Sequence, residues 1–175
     1  MELTIQTCTG KPSPWVVKHA SLIINGGRVL DLACGSGRHA ICLAEQGYQV
    51  DAIDRDVQAL SCMLGLKNIN TTIFDLEASD WPYTDQKYDG IIVSRYLHRP
   101  LLPYLSDMLN LGGVLIYETF MAGNERYGKP SNPNFLLQAN ELLNTYSPTL
   151  NIIAFEQGEE AVPRQAVMQR ICATR

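Results

Sequence analysis

Residues 29 to 54 read VLDLACGSGRHAICLAEQGYQVDAID. A short apolar run carrying Asp31 meets Gly35-Ser36-Gly37, crosses an Ala/Leu-rich stretch to Gly47, and rises into a second apolar run that ends on Asp54. The first run, 29–33, has the length and character of a buried strand. Residues 38–46 place Ala40, Ile41, Leu43 and Ala44 at helical spacing, and Gly47 stands where a helix C-cap belongs. Strand, glycine turn, helix, strand is the opening of an alternating α/β chain, and that alternation is the signature of a parallel sheet with helices on both faces.

The rest of the sequence continues it. Strands are expected at 49–53, 71–74, 90–94 and 114–120, with a helix at 57–64. WPYTDQKY, 81–88, is a polar connection with room for a short helix. Pro100 and Pro103 suit the first turn of a helix whose Leu101, Leu102, Leu105, Met108 and Leu109 form an apolar stripe ending before Gly112-Gly113. A Gly/Pro/Asn-rich loop over 121–133 leads to a helix at 141–146 with Asn140 as its N-cap. Two closing strands, 150–157 and 166–174, separated by GEEAVPR, have the spacing of an antiparallel hairpin.

Bulk properties narrow the class of partner. With 175 residues, 46% of them apolar, one domain over 1–175 with a substantial core is expected. No apolar run approaches the roughly 18 residues of a membrane helix, and MELTIQTCTGKP lacks the order of a signal peptide, so a cytoplasmic protein with no membrane partner is expected. Five scattered cysteines without a C-x-x-C pair suggest neither a disulfide framework nor a metal site. A net charge of -4 without any Lys/Arg cluster removes the electrostatic footprint of a nucleic-acid binder. A small-molecule partner is the expectation.

The glycine turn brings backbone N–H groups close to a ligand, and Asp54, ending the second strand, lies where a carboxylate accepts the two hydroxyls of a ribose. A nucleoside-containing ligand follows. Gly35-x-Gly37-x-x-Ala40 satisfies the permissive dinucleotide fingerprint, yet Asp31 would set negative charge near a pyrophosphate and suits a ligand with a positive group. The chain is also too short for a second mononucleotide half plus a substrate domain.

Asp31-Leu32-Ala33-Cys34-Gly35-Ser36-Gly37 resembles the D/E-x-G-x-G-x-G motif of class I S-adenosylmethionine-dependent methyltransferases, with Ala33 in place of the first glycine. Asp54, Asp75-Leu76, YDGIIVSRYLH and LGGVLIYETF match the later strands of that family. GSGRHAICLAEQG, SRYLHRPLLPYL and YETFMAG with LLQANELL resemble small bacterial enzymes of the tellurite-resistance and thiopurine methyltransferase group. The resemblance implies a Rossmann-like, doubly wound, mostly parallel seven-stranded sheet with an antiparallel C-terminal strand, and S-adenosyl-L-methionine as cofactor. It implies that Ala33, Cys34, Gly35, Ser36 and Gly37 lie against the methionine portion and ribose, and that Asp31 helps hold the amino group. Arg38 meets the carboxylate or is a solvated first-turn residue. Asp54, with Arg55 beside it, takes the ribose hydroxyls, Asp75 and Leu76 bracket the adenine, and Ser94 and Arg95 end the fourth strand beneath the sulfonium.

Methyl transfer is an in-line displacement in which the protein aligns the nucleophile and, where necessary, removes its proton. Acceptor-side residues are therefore sought on the loops after strands four and five. Tyr96, His98 and Arg99 supply a hydroxyl, an imidazole and a cation there and are the candidate catalytic residues, the alternative for His98 and Arg99 being a structural role at the start of the following helix. Arg126, Tyr127 and Lys129 make 121–133 a candidate substrate loop; with Arg95 and Arg99 they hint at an anionic or oxyanionic acceptor. Residues 1–27 form an N-terminal cofactor-covering segment in which Trp15 is a core residue or an apolar cover, and His39 is expected on the helix surface. The alternative to an enzyme is a cofactor-binding scaffold that acts through a protein partner. The polar side chains of SRYLHRP favour the enzyme.

Overall fold

The computed structural model describes residues 10–78 and 85–175; the first half of the polar connection at 81–88, and the start of the N-terminal segment, lie outside them. Among the described residues a helix α1 (Pro14–Ala20) precedes β1 (Arg28–Leu32), α2 (Arg38–Glu45), β2 (Gln49–Asp54), α3 (Val57–Ser61) and β3 (Ile69–Ile73). Then come β4 (Tyr88–Ser94), α4 (Leu102–Asp107), β5 (Leu109–Phe120), α5 (Glu141–Tyr146), β6 (Asn151–Glu160) and β7 (Ala166–Thr174). The seven strands form one sheet in the order β3-β2-β1-β4-β5-β7-β6. β1 to β5 pair in parallel, while β7 runs antiparallel to both β5 and β6. The doubly wound sheet with its terminal hairpin is as expected.

Successive strand side chains point to opposite faces, so each central strand feeds two cores. Leu30 and Leu32 of β1, Ile91 and Val93 of β4, and Leu115 and Tyr117 of β5 pack with Leu102 and Leu105 of α4 and Leu142 and Tyr146 of α5. Val29, Ile92, Val114 and Ile116 face the other way, against Trp15 and Val16 of α1, Ala40 and Leu43 of α2 and Leu60 of α3. No helix among the described residues is long and apolar enough to cross a membrane.

Several boundaries differ from the sequence reading for local reasons. α3 stops at Ser61, although its start is well made: Asp56 Oδ1 accepts from the Gln58 and Ala59 amides at 2.9 and 3.1 Å. The Gly112-Gly113 pair does not end a helix but lies inside β5, where the pairing with β4 shifts register between Tyr88 and Gly90. A Cβ at Gly113 would stand 2.8 Å from the Asn110 carbonyl oxygen and 3.0 Å from that of Tyr88, so only glycine lets the bulge close. Asn140 precedes α5 in a left-handed conformation without capping it; its side-chain oxygen accepts from Gln157 Nε2 instead, at 3.0 Å.

Candidate functional site

The strand order reverses between β1 and β4, and in open α/β sheets ligands bind outside the carboxyl ends of the strands at such a point. The turn after β1 is built for it. Ala33, Gly35 and Gly37 all have positive φ, 55°, 56° and 83°. Alternate left-handed residues curl the backbone tightly into α2, which explains the Gly-x-Gly spacing and leaves Ala33 carrying a conformational cost of about 1–2 kcal/mol. Asp54 holds the turn from the next strand: its Oδ2 accepts from the Gly35 amide at 2.7 Å and its Oδ1 from the Asp56 amide at 2.9 Å. Arg95, directly after β4, also adopts a positive φ, 56°. Non-glycine residues in this region concentrate at functional sites.

Among the described residues, two clefts open at this end of the sheet. The first, about 350 Å³, is lined by Ala33, Asp54 and Arg55, by Phe74, Asp75, Leu76 and Glu77 after β3, by Arg95 and Tyr96 after β4, and by Phe135 from the loop after β5. Asp75 makes a 3.7 Å ion pair with Arg55 and accepts from the Glu77 amide. The Tyr96 hydroxyl is buried without a hydrogen bond of normal geometry among the described residues. Burial, and then the charge of Glu77 and Asp75, pushes its ionisation up.

The second cleft, about 460 Å³, runs between the segment before α1 and the terminal hairpin. Its walls include Lys11, Ser13, Trp15 and Lys18, the hairpin's Val162 and Pro163, and Arg38, Arg95, Glu118 and Arg170 beneath. A polar chain crosses its floor. Arg38 donates to Ser94 Oγ at 3.0 Å, Ser94 Oγ donates to Glu118 at 2.9 Å, and Arg170 donates to Glu118 at 3.2 Å and to Glu160. Burial opposes charge on Glu118, which is only 3% exposed, but hydrogen bonds from Ser13, Ser94 and Arg170 outweigh it and hold the carboxyl below its ordinary range. Arg95 lines both clefts. Its guanidinium makes no ion pair among the described residues.

Asp31 lies beneath the turn rather than in either cleft. It is 1% exposed, and its Oδ2 accepts from the Ala40 amide in the first turn of α2 at 3.0 Å. Burial pushes its pKa from 3.8 up to about 7, against the opposing pull of the Ala40 bond and Arg38. A carboxyl raised by burial adds stability below its unfolded pKa, and that contribution fades as pH rises to its folded value. The free protein should therefore lose stability between pH 3.8 and about 7 on this account. Asp31→Asn keeps an acceptor for Ala40 and should flatten that decline, ending more stable than the unaltered chain at about pH 8. Urea unfolding of both proteins across this range checks it; parallel profiles would mean that Asp31 is not the group responsible.

A family model described as tellurite resistance protein TehB matches residues 11–159. That match spans most of the chain. The chain belongs to the TehB family. A probable S-adenosyl-L-methionine-dependent methyltransferase TehB of Haemophilus influenzae is 28% identical over 142 residues, 74% of this chain and 48% of the relative. The chain thus spans about half the length of the curated relative it matches. The crystal structure of TehB from Haemophilus influenzae superposes with a TM-score of 0.79 at 21% identity, covering 94% of this chain and 62% of that one. A TehB-like methyltransferase structure from Corynebacterium glutamicum gives 0.66 at 16% identity, over 92% and 86%.

In this TehB-family chain the strand-end residues Ala33, Asp54, Arg55, Asp75, Leu76 and Arg95 come together in one cleft. The three candidate catalytic residues of the loop after β4 take different places. Tyr96 faces this same cleft and not the second one. Arg99 is spent on α5 and the loop before it: it pairs with both oxygens of Glu141 at 2.7 and 3.0 Å and donates to the Asn134 and Leu136 carbonyls. His98 lines neither cleft; it stands just before a short 3-10 turn. Arg126 pairs with Glu159 at the surface, and Arg126, Tyr127 and Lys129 lie outside both clefts. His39 is buried, 3% exposed, and not on the helix surface. Its Nε2 accepts from the Ser13 amide at 3.1 Å, and burial lowers its pKa to about 4, so a neutral ring pins the N-terminal segment to α2. Trp15 is both core and cleft wall, donating to the Ile171 carbonyl at 3.3 Å.

Sequence reasoning passed over Glu118, Arg170 and Phe135. Glu118 carried a signal, an acid within the apolar run LIYETF, of the same kind as Asp31. Phe135 and Arg170 carried none, because their neighbours in space are distant in sequence.

Proposed function

We propose that this chain transfers a methyl group from S-adenosylmethionine to a small, anionic acceptor. The carrying observation is the pair of clefts joined at Arg95, the first bearing Asp54 and Asp75 at successive strand ends. The first cleft suits a neutral ribose and adenine: carboxylates accept from hydroxyls and an amino group, and Phe74, Tyr96 and Phe135 offer apolar surface. When bound, the sulfonium supplies an electrophilic methyl carbon and a neutral thioether leaving group.

The protein's own contribution is alignment. Ala33 to Gly37 hold the cofactor's sugar and methionine chain against the turn. Arg38, fixed by Ser94, lies near enough to the turn to take a carboxylate. The second cleft, with Lys11, Lys18, Arg38, Arg95 and Arg170 set against Glu118, Glu156 and Glu160, favours an acceptor that already carries negative charge. Such an acceptor needs no general base, in keeping with the position of His98 outside this cleft.

Calorimetric titration of the intact chain with S-adenosylhomocysteine and with a nicotinamide dinucleotide tests the cofactor, and transfer from labelled S-adenosylmethionine to thiol, amine, carboxylate and chalcogen-oxyanion panels tests the acceptor. Binding of S-adenosylhomocysteine with transfer to anionic members is expected. Dinucleotide binding alone overturns the cofactor assignment, and cofactor binding without transfer to any member favours a scaffold.

A further inference from the structure

We propose that Phe135, on the loop after β5, stacks on the adenine of the bound nucleoside, and that Arg99 positions it there. This rests on reading the first cleft as an adenosine site. Phe135 is 47% exposed at the mouth of that cleft, a large apolar ring left uncovered beside polar groups that face a ligand. Tyr96 and Phe74 form further walls of the same cleft. Aromatic surface with carboxylates at its edge is the chemistry that holds a purine: the π-face takes the stack, and the acids take the amino group and sugar hydroxyls.

A loop residue can do this only if its backbone is held, and two bonds from one anchored side chain hold it. Arg99 donates to the Asn134 and Leu136 carbonyls, on either side of Phe135, each at 2.9 Å. The same guanidinium is anchored on Glu141, whose Oε2 also accepts from the Gln138 amide at 2.7 Å. Asn132 adds a local turn by accepting from the Asn134 amide at 3.0 Å. The clamp leaves the ring free at its tip while fixing the peptide groups that flank it. Arg99 is therefore a positioning residue that acts through Phe135, and its planar fork, which lysine cannot reproduce, is the reason for arginine here.

The test is calorimetric titration with S-adenosylhomocysteine and with adenosine alone, on the unaltered chain, Phe135→Ala, Phe135→Trp, Arg99→Lys, and the Phe135→Ala/Arg99→Lys pair. Phe135→Ala should weaken both ligands about 5- to 100-fold, the range of one lost aromatic–base stack, while Phe135→Trp retains affinity. Arg99→Lys should weaken binding too, but add little once Phe135 is already alanine, because positioning matters only while there is a ring to position. Thermal melts of each free variant separate lost binding from lost fold. If the unaltered chain binds the ligands and Phe135→Ala binds them equally well, the stack is overturned and the functional reading stands. Additive losses in the double variant overturn the role of Arg99. No binding by the unaltered chain overturns the functional reading itself.

Discussion

Asp54→Ala is expected to weaken S-adenosylhomocysteine binding by about 10²- to 10⁴-fold, the largest effect of any single change in the first cleft. Two hydrogen bonds from ribose hydroxyls to a carboxylate contribute about 1.5–3 kcal/mol each, and each 1.4 kcal/mol is tenfold in affinity. Asp54 also accepts the Gly35 and Asp56 amides, so the alanine variant loosens the turn against which the cofactor would lie. Asp54→Asn separates these contributions, since an amide oxygen still accepts from Gly35 but without the charge that strengthens the ribose bonds. A smaller loss in the asparagine variant than in the alanine one is expected by calorimetry. Wild-type affinity in Asp54→Ala would falsify the assignment of this carboxylate to the sugar.

Tyr117→Ala should have the largest effect on stability. The ring is buried in the core between β5 and α5, and replacing a buried aromatic by alanine costs about 3–5 kcal/mol. That is a large share of the 5–15 kcal/mol typical of a whole domain. Its hydroxyl donates to the Tyr96 carbonyl at 2.9 Å and so supports the chain where it leaves β4 beside the first cleft. Tyr117→Phe keeps the ring and removes only that bond, for about 1 kcal/mol. Urea midpoints of the two variants should fall in that order. A loss in the alanine variant no larger than in the phenylalanine one would show that the hydrogen bond, not the packing, is what matters.

How far the site was legible in the sequence depended on the range of the contacts that make it. Asp54, Asp75, Leu76 and Arg95 line one cleft because each lies at or after a strand end, and strand ends converge once the sheet is doubly wound. Tyr96 and His98 illustrate the opposite case. Both follow β4 within four residues, yet one enters a cleft and the other stands outside, and the direction of each is set by a backbone that leaves its strand through the left-handed Arg95. Arg99 could be read as a catalytic cation or as a structural one, because its partner Glu141 lies 42 positions away. His39 followed the helix pattern poorly because α2 is covered on that side by the segment that carries Ser13, a contact across 26 positions.

The order of strands and helices, the glycine turn at 35–37 and the acids after the second and third strands were legible in the sequence, because these depend on hydrophobic period, glycine and near neighbours in the chain. Which side chains each of the two clefts receives, among the described residues, was set by tertiary packing. Glu118 meets Ser94 through strand register, Arg170 through the antiparallel hairpin and Ser13 through the docking of α1. Phe135 reaches the first cleft through the clamp of Arg99. Those partners meet only when sheet, hairpin and loop pack together, and no local preference of the chain encodes where such distant surfaces will touch.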